Sequence, residues 1–224
     1  MDPLALVLLL GLGTWSALDG TSVGQVLLSR PLVSGTLAGA VLGDPALGLL
    51  VGAILEAVHL VDFPVGAVRL PEPGPGAVPA VAAAWLLGGP GGLALGVGLG
   101  ALLGRFAGYT VIRLRHLNER ILSGILEGGV TPGELSRRHW LCVGADAGRG
   151  ALLTALGLAA AMALPAAVVG WWPFSRPATV ALLLLPAGLS VGAMARRWGR
   201  SRAGKGALAA GIVAGVLLGL FLGG

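Results

Sequence analysis

The sequence predicts an all-α, polytopic integral membrane protein with short or broken helices and re-entrant hairpins, and three observations carry that reading. Hydrophobic residues make up 55% of the chain and charged residues 11%, against roughly 25% charged in an ordinary soluble domain. The apolar residues are mostly Leu, Ala, Val and Gly, cut into several runs by charges and prolines, as in multi-span helical proteins. Many of those runs are too short for a bilayer core of about 30 Å, which takes roughly 20 helical residues. The 40 glycines show no three-residue period, which excludes a collagen-like chain.

Taken in order, residues 4–18 form a marginal span. Met1-Asp2-Pro3 before it lacks the positive start of a secretory signal, so the run is expected to be retained as part of the fold. Residues 31–43 are clearly short, and residues 45–61 are short and carry Glu56 and His59. Gly88-Gly89-Pro90-Gly91-Gly92 divides the apolar stretch 77–104 into two half-length pieces. Hydrophobic segments interrupted by Gly and Pro are tolerated at membrane depth only where they are buried in protein or line a wet cavity, which points to a transporter. Residues 105–149 differ in kind: Arg113, Arg115, His116, Glu119 and Arg120 lie among Leu114, Leu117, Ile121 and Ile125 at helical spacing, an amphipathic pattern. After Gly128-Gly129, Thr131-Pro132-Gly133-Glu134 marks a new helix start, with a capping hydroxyl, proline at the first helical position and an acid three places on. Spans at 151–170 and 177–195 follow, joined by Trp171-Trp172-Pro173-Phe174 as a headgroup-level belt. A basic loop, 196–205, leads to a last span at 206–222. The chain is thus read as one membrane domain: a hairpin-rich part (1–104), cytoplasmic amphipathic helices (105–149) and C-terminal spans (150–224).

Charge sets the orientation. Six arginines lie between Arg105 and Arg138, and five basic residues between Arg196 and Lys205, so the positive-inside rule places both segments in the cytoplasm. The Trp171 loop and the C-terminus then fall outside. The net charge of +5 comes from residues between apolar runs, not from one exposed face, so no nucleic-acid partner is expected. A single cysteine, Cys142, excludes an internal disulfide and a multi-cysteine metal site; neither cofactor nor metal is expected. Residues 199–205 fit the spacing of a nucleotide-binding loop, but Gly206 stands where its magnesium-binding hydroxyl belongs and no strand precedes it, so the match is a chance one.

Glycines recur every four residues at Gly35, Gly39, Gly43, at Gly48, Gly52, from Gly92 to Gly108, and from Gly211 to Gly223. In lipid such stripes let helices pack backbone to backbone. They exceed what packing the chain's own few spans requires, and an unpaired stripe implies a missing neighbour.

The chemistry-bearing residues cluster early. Residues 1–72 hold six acids, Asp2, Asp19, Asp44, Glu56, Asp62 and Glu72, against Arg30 and Arg69, whereas the rest has four acids and thirteen bases. Gly48, Gly52, Glu56 and His59 share one helix face, and an ionisable group at membrane depth costs on the order of 2.5 kcal/mol or more, so that face lines a cavity, finds a partner or marks a substrate path. No catalytic nucleophile can be assembled from residues scattered over separate spans, and the chain is read as a transport subunit, not an enzyme.

Residues 25–33, Gln-Val-Leu-Leu-Ser-Arg-Pro-Leu-Val, then Gly43-Asp44-Pro45 with Gly48-Leu49-Leu50-Val51-Gly52-Ala53, then Leu55-Glu56 and Pro64-Val65-Gly66-Ala67, stand in one register over about fifty residues. In order and spacing they resemble the signature of the IIC component of mannose/sorbose-class phosphotransferase system (PTS) permeases. A weaker likeness extends through residues 116–120 to 137–140. The resemblance implies a multi-pass subunit of the bacterial inner membrane that binds and moves a hexose-like sugar and is itself never phosphorylated. It implies a IID membrane partner, assembly of IIC–IID pairs into a homo-oligomer within the lipid bilayer, and soluble IIA and IIB components that pass a phosphoryl group to the sugar. Sugar hydroxyls are held by carboxylates and amides: Gln25, Asp44, Glu56, His59 and Glu72 are the expected substrate-binding residues, with Pro71-Glu72 where the family often has Pro-Asp. Arg30, Pro31, Gly43 and Gly66 are expected to shape the hairpins. The alternatives are a non-transporting scaffold or regulatory subunit that docks IIB, and an unrelated small-solute channel.

Overall fold

The computed structural model describes residues 1–60, 70–123, 130–164, 166–198, 201–207, 209–211 and 213, and among these all regular structure is helical. The helices are α1 (Pro3–Thr21), α2 (Pro31–Val41), α3 (Pro45–Val58), α4 (Pro73–Leu87), α5 (Gly89–Leu122), α6 (Pro132–Ala163) and α7 (Arg176–Trp198), with a 3₁₀ turn at Ala166–Trp171 before α7. Each of α1 to α6 opens with a proline in its first two positions, where the missing N–H is no loss and φ is already helical. Asp2, Asp44 and Thr131 cap their helices by accepting from the N–H of Ala5, Leu47 and Glu134 at 2.7, 2.9 and 3.3 Å, so the start expected at Thr131 is the one the chain uses.

Three helices, α1, α5 and α6, are long and apolar enough to cross a membrane, whereas α2, α3 and α4 are shorter apolar helices. The short segments expected at 31–43 and 45–61 are therefore real half-length elements. One expectation needs correction. Gly88 and Gly89, at φ 66° and 62°, do break the 77–104 stretch, but the second piece is not half-length. It continues without interruption through Arg105 to Leu122 as a 34-residue helix. The amphipathic pattern after Arg105 belongs to the C-terminal end of that same helix. Likewise α6 runs unbroken for 32 residues from Pro132 to Ala163. The boundaries drawn at 104 and 149 thus fall inside α5 and α6. Arg138 ties the C-terminal end of α5 to the N-terminal end of α6, pairing with Glu134 (2.6 Å) and donating to the carbonyls of Ile121 and Ser123 at 3.1 and 2.8 Å.

At the centre stands α4, in which every residue from Gly74 to Ala84 is buried. It is built from Gly, Ala, Val and Pro, so its neighbours approach its backbone closely. The glycine stripes do that work internally. A Cβ on Gly48 would overlap the Gly35 carbonyl and come within 2.8 Å of the Gly39 Cα, locking α2 against α3. On α5, a Cβ at Gly100 would meet the Ala80 Cβ at 2.7 Å, and one at Gly96 the Ala84 Cβ at 2.9 Å, seating α5 on α4. The stripes at 35–52 and 92–108 therefore find their partners within the chain and do not imply a missing neighbour. Of the last stripe only Gly211 is described, and most of the last expected span lies outside the described residues.

Candidate functional site

Four helix ends meet on one side of α4. The C-terminal ends of α1 and α3 and the N-terminal ends of α2 and α4 enclose a cavity of about 200 Å³ bounded by Gly20, Ser29, Arg30, Pro31, Glu56, His59 and residues 70–73. Its floor lies level with Gly104 on α5, whose carbonyl accepts from the Glu72 N–H at 2.9 Å. Polar groups gather here because helix ends, unlike helix middles, leave backbone donors and acceptors to be satisfied.

Glu56 lies on the last turn of α3, where its carboxylate pairs with the Arg30 guanidinium and accepts from the Leu32 N–H at the start of α2 at 3.4 Å. Arg30 is about half exposed and Glu56 only 16% exposed, so the pair closes one wall. His59 caps the C-terminus of α3 beside it.

The opposite wall is Glu72, and its partner is distant in sequence. Arg149 on α6 clasps it with both arms, Nη1 to Oε2 at 2.6 Å and Nη2 to Oε1 at 2.9 Å. The Arg149 Nε donates to Asp146 Oδ1 at 2.8 Å, and Nη1 to the Thr110 hydroxyl at 3.1 Å. The other Asp146 oxygen accepts from the hydroxyls of Thr21 and Ser22 at the end of α1. These side chains are 8%, 9% and 0% exposed for Arg149, Glu72 and Asp146. Arg149 thus joins α4, α5 and α6, with Asp146 adding α1, and it holds Glu72 in the bidentate geometry that makes Arg–carboxylate pairs strong.

The loop from α1 to α2 is held by a second buried acid. Asp19, 2% exposed, accepts from the N–H groups of Val26 and Ser29 at 2.5 and 2.8 Å, and the Ser16 hydroxyl donates to the Leu28 carbonyl at 2.8 Å. This bracing holds Gln25 and Leu27 at φ 56° and 71°, a left-handed conformation unfavourable for residues with a Cβ.

The structure thus brings Glu56, His59, Glu72, Arg30 and Pro31 together around one cavity. It places Gln25 on the exposed surface of the α1–α2 loop, outside the lining. Asp44 caps the other end of α3, twelve residues or about 18 Å along the helix from Glu56. Gly43, at φ 81°, makes the turn between α2 and α3, as expected of a hairpin residue. Gly66 lies outside the described residues. Sequence reasoning missed Arg149, Asp146, Asp19 and Gly20. A signal for the first two was present: an acid and a base three apart in an otherwise apolar span rarely sit at membrane depth without partners.

The sequence pattern of the family described as the PTS sorbose-specific IIC component matches residues 4–169. This chain belongs to that IIC family. The matched span contains every residue of the cavity and also Arg149. The N-acetylgalactosamine permease IIC component 1 of Escherichia coli is 34% identical over 95 residues, 42% of this chain and 33% of that protein; the alignment spans about a third of the relative's length. Two solved structures share the fold. One, described only as a membrane protein, superposes with a TM-score of 0.65 at 18% identity over 99% of this chain and 96% of its own. The other, a cryo-EM structure of the mannose transporter ManYZ in complex with a microcin, gives a TM-score of 0.52 at 20% identity over 96% and 87%. The IIC chain is accordingly a multi-pass helical membrane protein.

Proposed function

We propose that this IIC chain is the sugar-translocating subunit of a mannose/sorbose-class phosphotransferase permease in the bacterial inner membrane. The observation that carries the reading is the cavity itself, where Glu56, His59, Glu72 and Arg30 face one space of about 200 Å³. That is smaller than the roughly 300–1,000 Å³ of drug-sized sites and suits a monosaccharide. Carboxylates accept from sugar hydroxyls, while Arg30 and His59 can donate. The Glu56–Arg30 pair is partly exposed and can exchange partners with an arriving hydroxyl. Glu72, held on both oxygens by Arg149, presents a fixed acceptor whose remaining lone pairs serve the cavity. By this reading the chain moves the sugar and carries no phosphoryl group. A IID membrane subunit completes the path, the pairs assemble further, and soluble IIA and IIB phosphorylate the sugar as it reaches the cytoplasm.

The test is Glu56→Gln, which removes the charge with little change of shape. Hydrogen bonds to a charged acceptor are roughly twice as strong as neutral ones, so sugar affinity of the purified complex should fall by about tenfold while membrane insertion is unchanged. Unaltered affinity in the mutant complex would remove Glu56 from the site. Full saturable transport by this chain alone, without membrane partner or soluble components, would overturn the subunit reading.

A further inference from the structure

A second cavity lies at the far end of the same two helices. It measures about 310 Å³ and is lined by Asp44 and Leu47 of α3, Trp85 of α4, Gly88 and Gly89 at the α4–α5 break, and Arg176 at the start of α7. We propose that it is an outer sugar-binding site, where the solute first docks before reaching the Glu56–Glu72 cavity. The proposal rests on the permease reading and deepens it.

Helix α5 serves as the ruler. The inner cavity lies level with Gly104, where the first arginine of the cytoplasmic end, Arg105, follows at once. The second cavity lies level with Gly89, fifteen residues or about 22 Å toward the other end of the helix. Because the C-terminal end of α5 carries the arginines and is cytoplasmic by the positive-inside rule, the Gly89 end is the outer one. Arg176 follows directly on the aromatic loop at 171–174 that the same rule puts outside.

The chemistry of the outer cavity is that of a site for a hydroxylated ring. Trp85 is 39% exposed, so its indole offers a flat apolar face against which the C–H face of a pyranose can lie, with an N–H donor at its edge. The Asp44 cap is made through Oδ1, which accepts from Leu47 N at 2.9 Å, so Oδ2 is the oxygen available to accept from a hydroxyl. Arg176 is exposed and supplies several donors in a fixed fork. The floor is backbone: Gly88 and Gly89 hold left-handed φ, and a Cβ on either would meet nothing within 4 Å. Between the two cavities α4 is sealed, with Ala77, Val78 and Ala80 to Ala83 fully buried. A solute at Trp85 therefore cannot reach Glu72 without rearrangement, as a carrier with alternating access requires. The position of Asp44, a carboxylate of the right chemistry remote from the inner cavity, then has a reason.

The test uses the permease assembled in its native membrane, as right-side-out vesicles loaded with the soluble IIA and IIB components and a phosphoryl donor, with labelled mannose, sorbose and N-acetylgalactosamine as probes. Uptake kinetics and equilibrium binding are measured for Trp85→Ala, Trp85→Phe and Asp44→Asn. Asparagine still caps a helix, so Asp44→Asn preserves the fold. Trp85→Ala and Asp44→Asn should each raise the KM for uptake by about tenfold with maximal velocity held within about twofold. Trp85→Phe, which keeps an aromatic face, should recover most of the loss, a rescue that a merely structural role for Trp85 does not predict. An unchanged KM in both Ala and Asn variants, in vesicles whose wild type takes up sugar, overturns the outer site and leaves the permease reading intact. So does a fall in maximal velocity at constant KM. Wild-type vesicles that neither bind nor take up any of the three sugars overturn both readings together.

Discussion

Arg149→Gln isolates what the buried clasp contributes to stability. The substitution takes the guanidinium from three carboxylate oxygens, both of Glu72 and Oδ1 of Asp146, whose side chains are 9% and 0% exposed. At such burial solvent screening is slight, and breaking a buried pair by removing one partner costs about 3–5 kcal/mol because the remaining charge is uncompensated. Asp146 keeps the Thr21 and Ser22 hydroxyls, so most of the penalty falls on Glu72. For a chain of this size that loss corresponds to a fall in Tm of about 6–20 °C. The protein carries its own reporter: Cys142, buried and one turn before Asp146 on α6, becomes reactive toward a thiol-sensitive fluorophore when the helices separate. The wild type, Arg149→Gln and the double variant Glu72→Gln/Arg149→Gln are heated in detergent with the dye. The double variant should be more stable than the single one, because it no longer leaves Glu72 charged and unpaired. A Tm drop under about 2 °C for Arg149→Gln, or a double variant less stable than the single, would refute the reasoning.

Two further predictions follow from packing and charge. Gly48→Ala forces a methyl into the Gly35 carbonyl and toward the Gly39 Cα, backbone atoms that cannot step aside, and should destabilise by about 1–3 kcal/mol; Gly98→Ala, with nothing within 4 Å, should be neutral or gain up to about 1 kcal/mol. The same fluorophore melt checks both, and equal Tm values for the two variants would contradict the packing account. In a Cys142→Ser background, a cysteine at Ser201 should react with an impermeant maleimide only after the membrane is opened, and one at Ser175 in intact cells; the reverse pattern would invert the orientation.

Much of this architecture could be read from residues close together in the chain. Helix starts are local events, so Thr131-Pro132 announced α6, and Gly88-Gly89 announced the break after α4. Glu56 and His59, three apart on one short helix, reach the same cavity because a single turn joins them. Glu72 and Arg149 are 77 residues apart, and no spacing rule could join them; only the excess of acids before residue 72 and of bases after it hinted that one end must pair with the other. The continuity of α5 was hidden for a different reason. Hydropathy falls at Arg105, but a helix that leaves the bilayer need not stop there, since its backbone hydrogen bonds are satisfied within the helix in water as in lipid. The glycine stripes were legible as packing surfaces, whereas which surface met which depended on the tertiary fold.

The composition of α4 also restricts how this fold can diversify. Ala, Gly and Pro surrender almost no side-chain freedom on burial, yet an added methyl on either glycine of the helix's buried N-terminal half meets a neighbouring backbone or side chain. A Cβ at Gly74 would overlap the Ser16 hydroxyl, and one at Gly76 would lie 2.6 Å from the Gly100 carbonyl. These two positions admit no side chain. Under the permease reading proposed above, variation in what the protein recognises would fall at the two tips of this helix, in the cavity beside Glu72 at one and around Trp85 at the other.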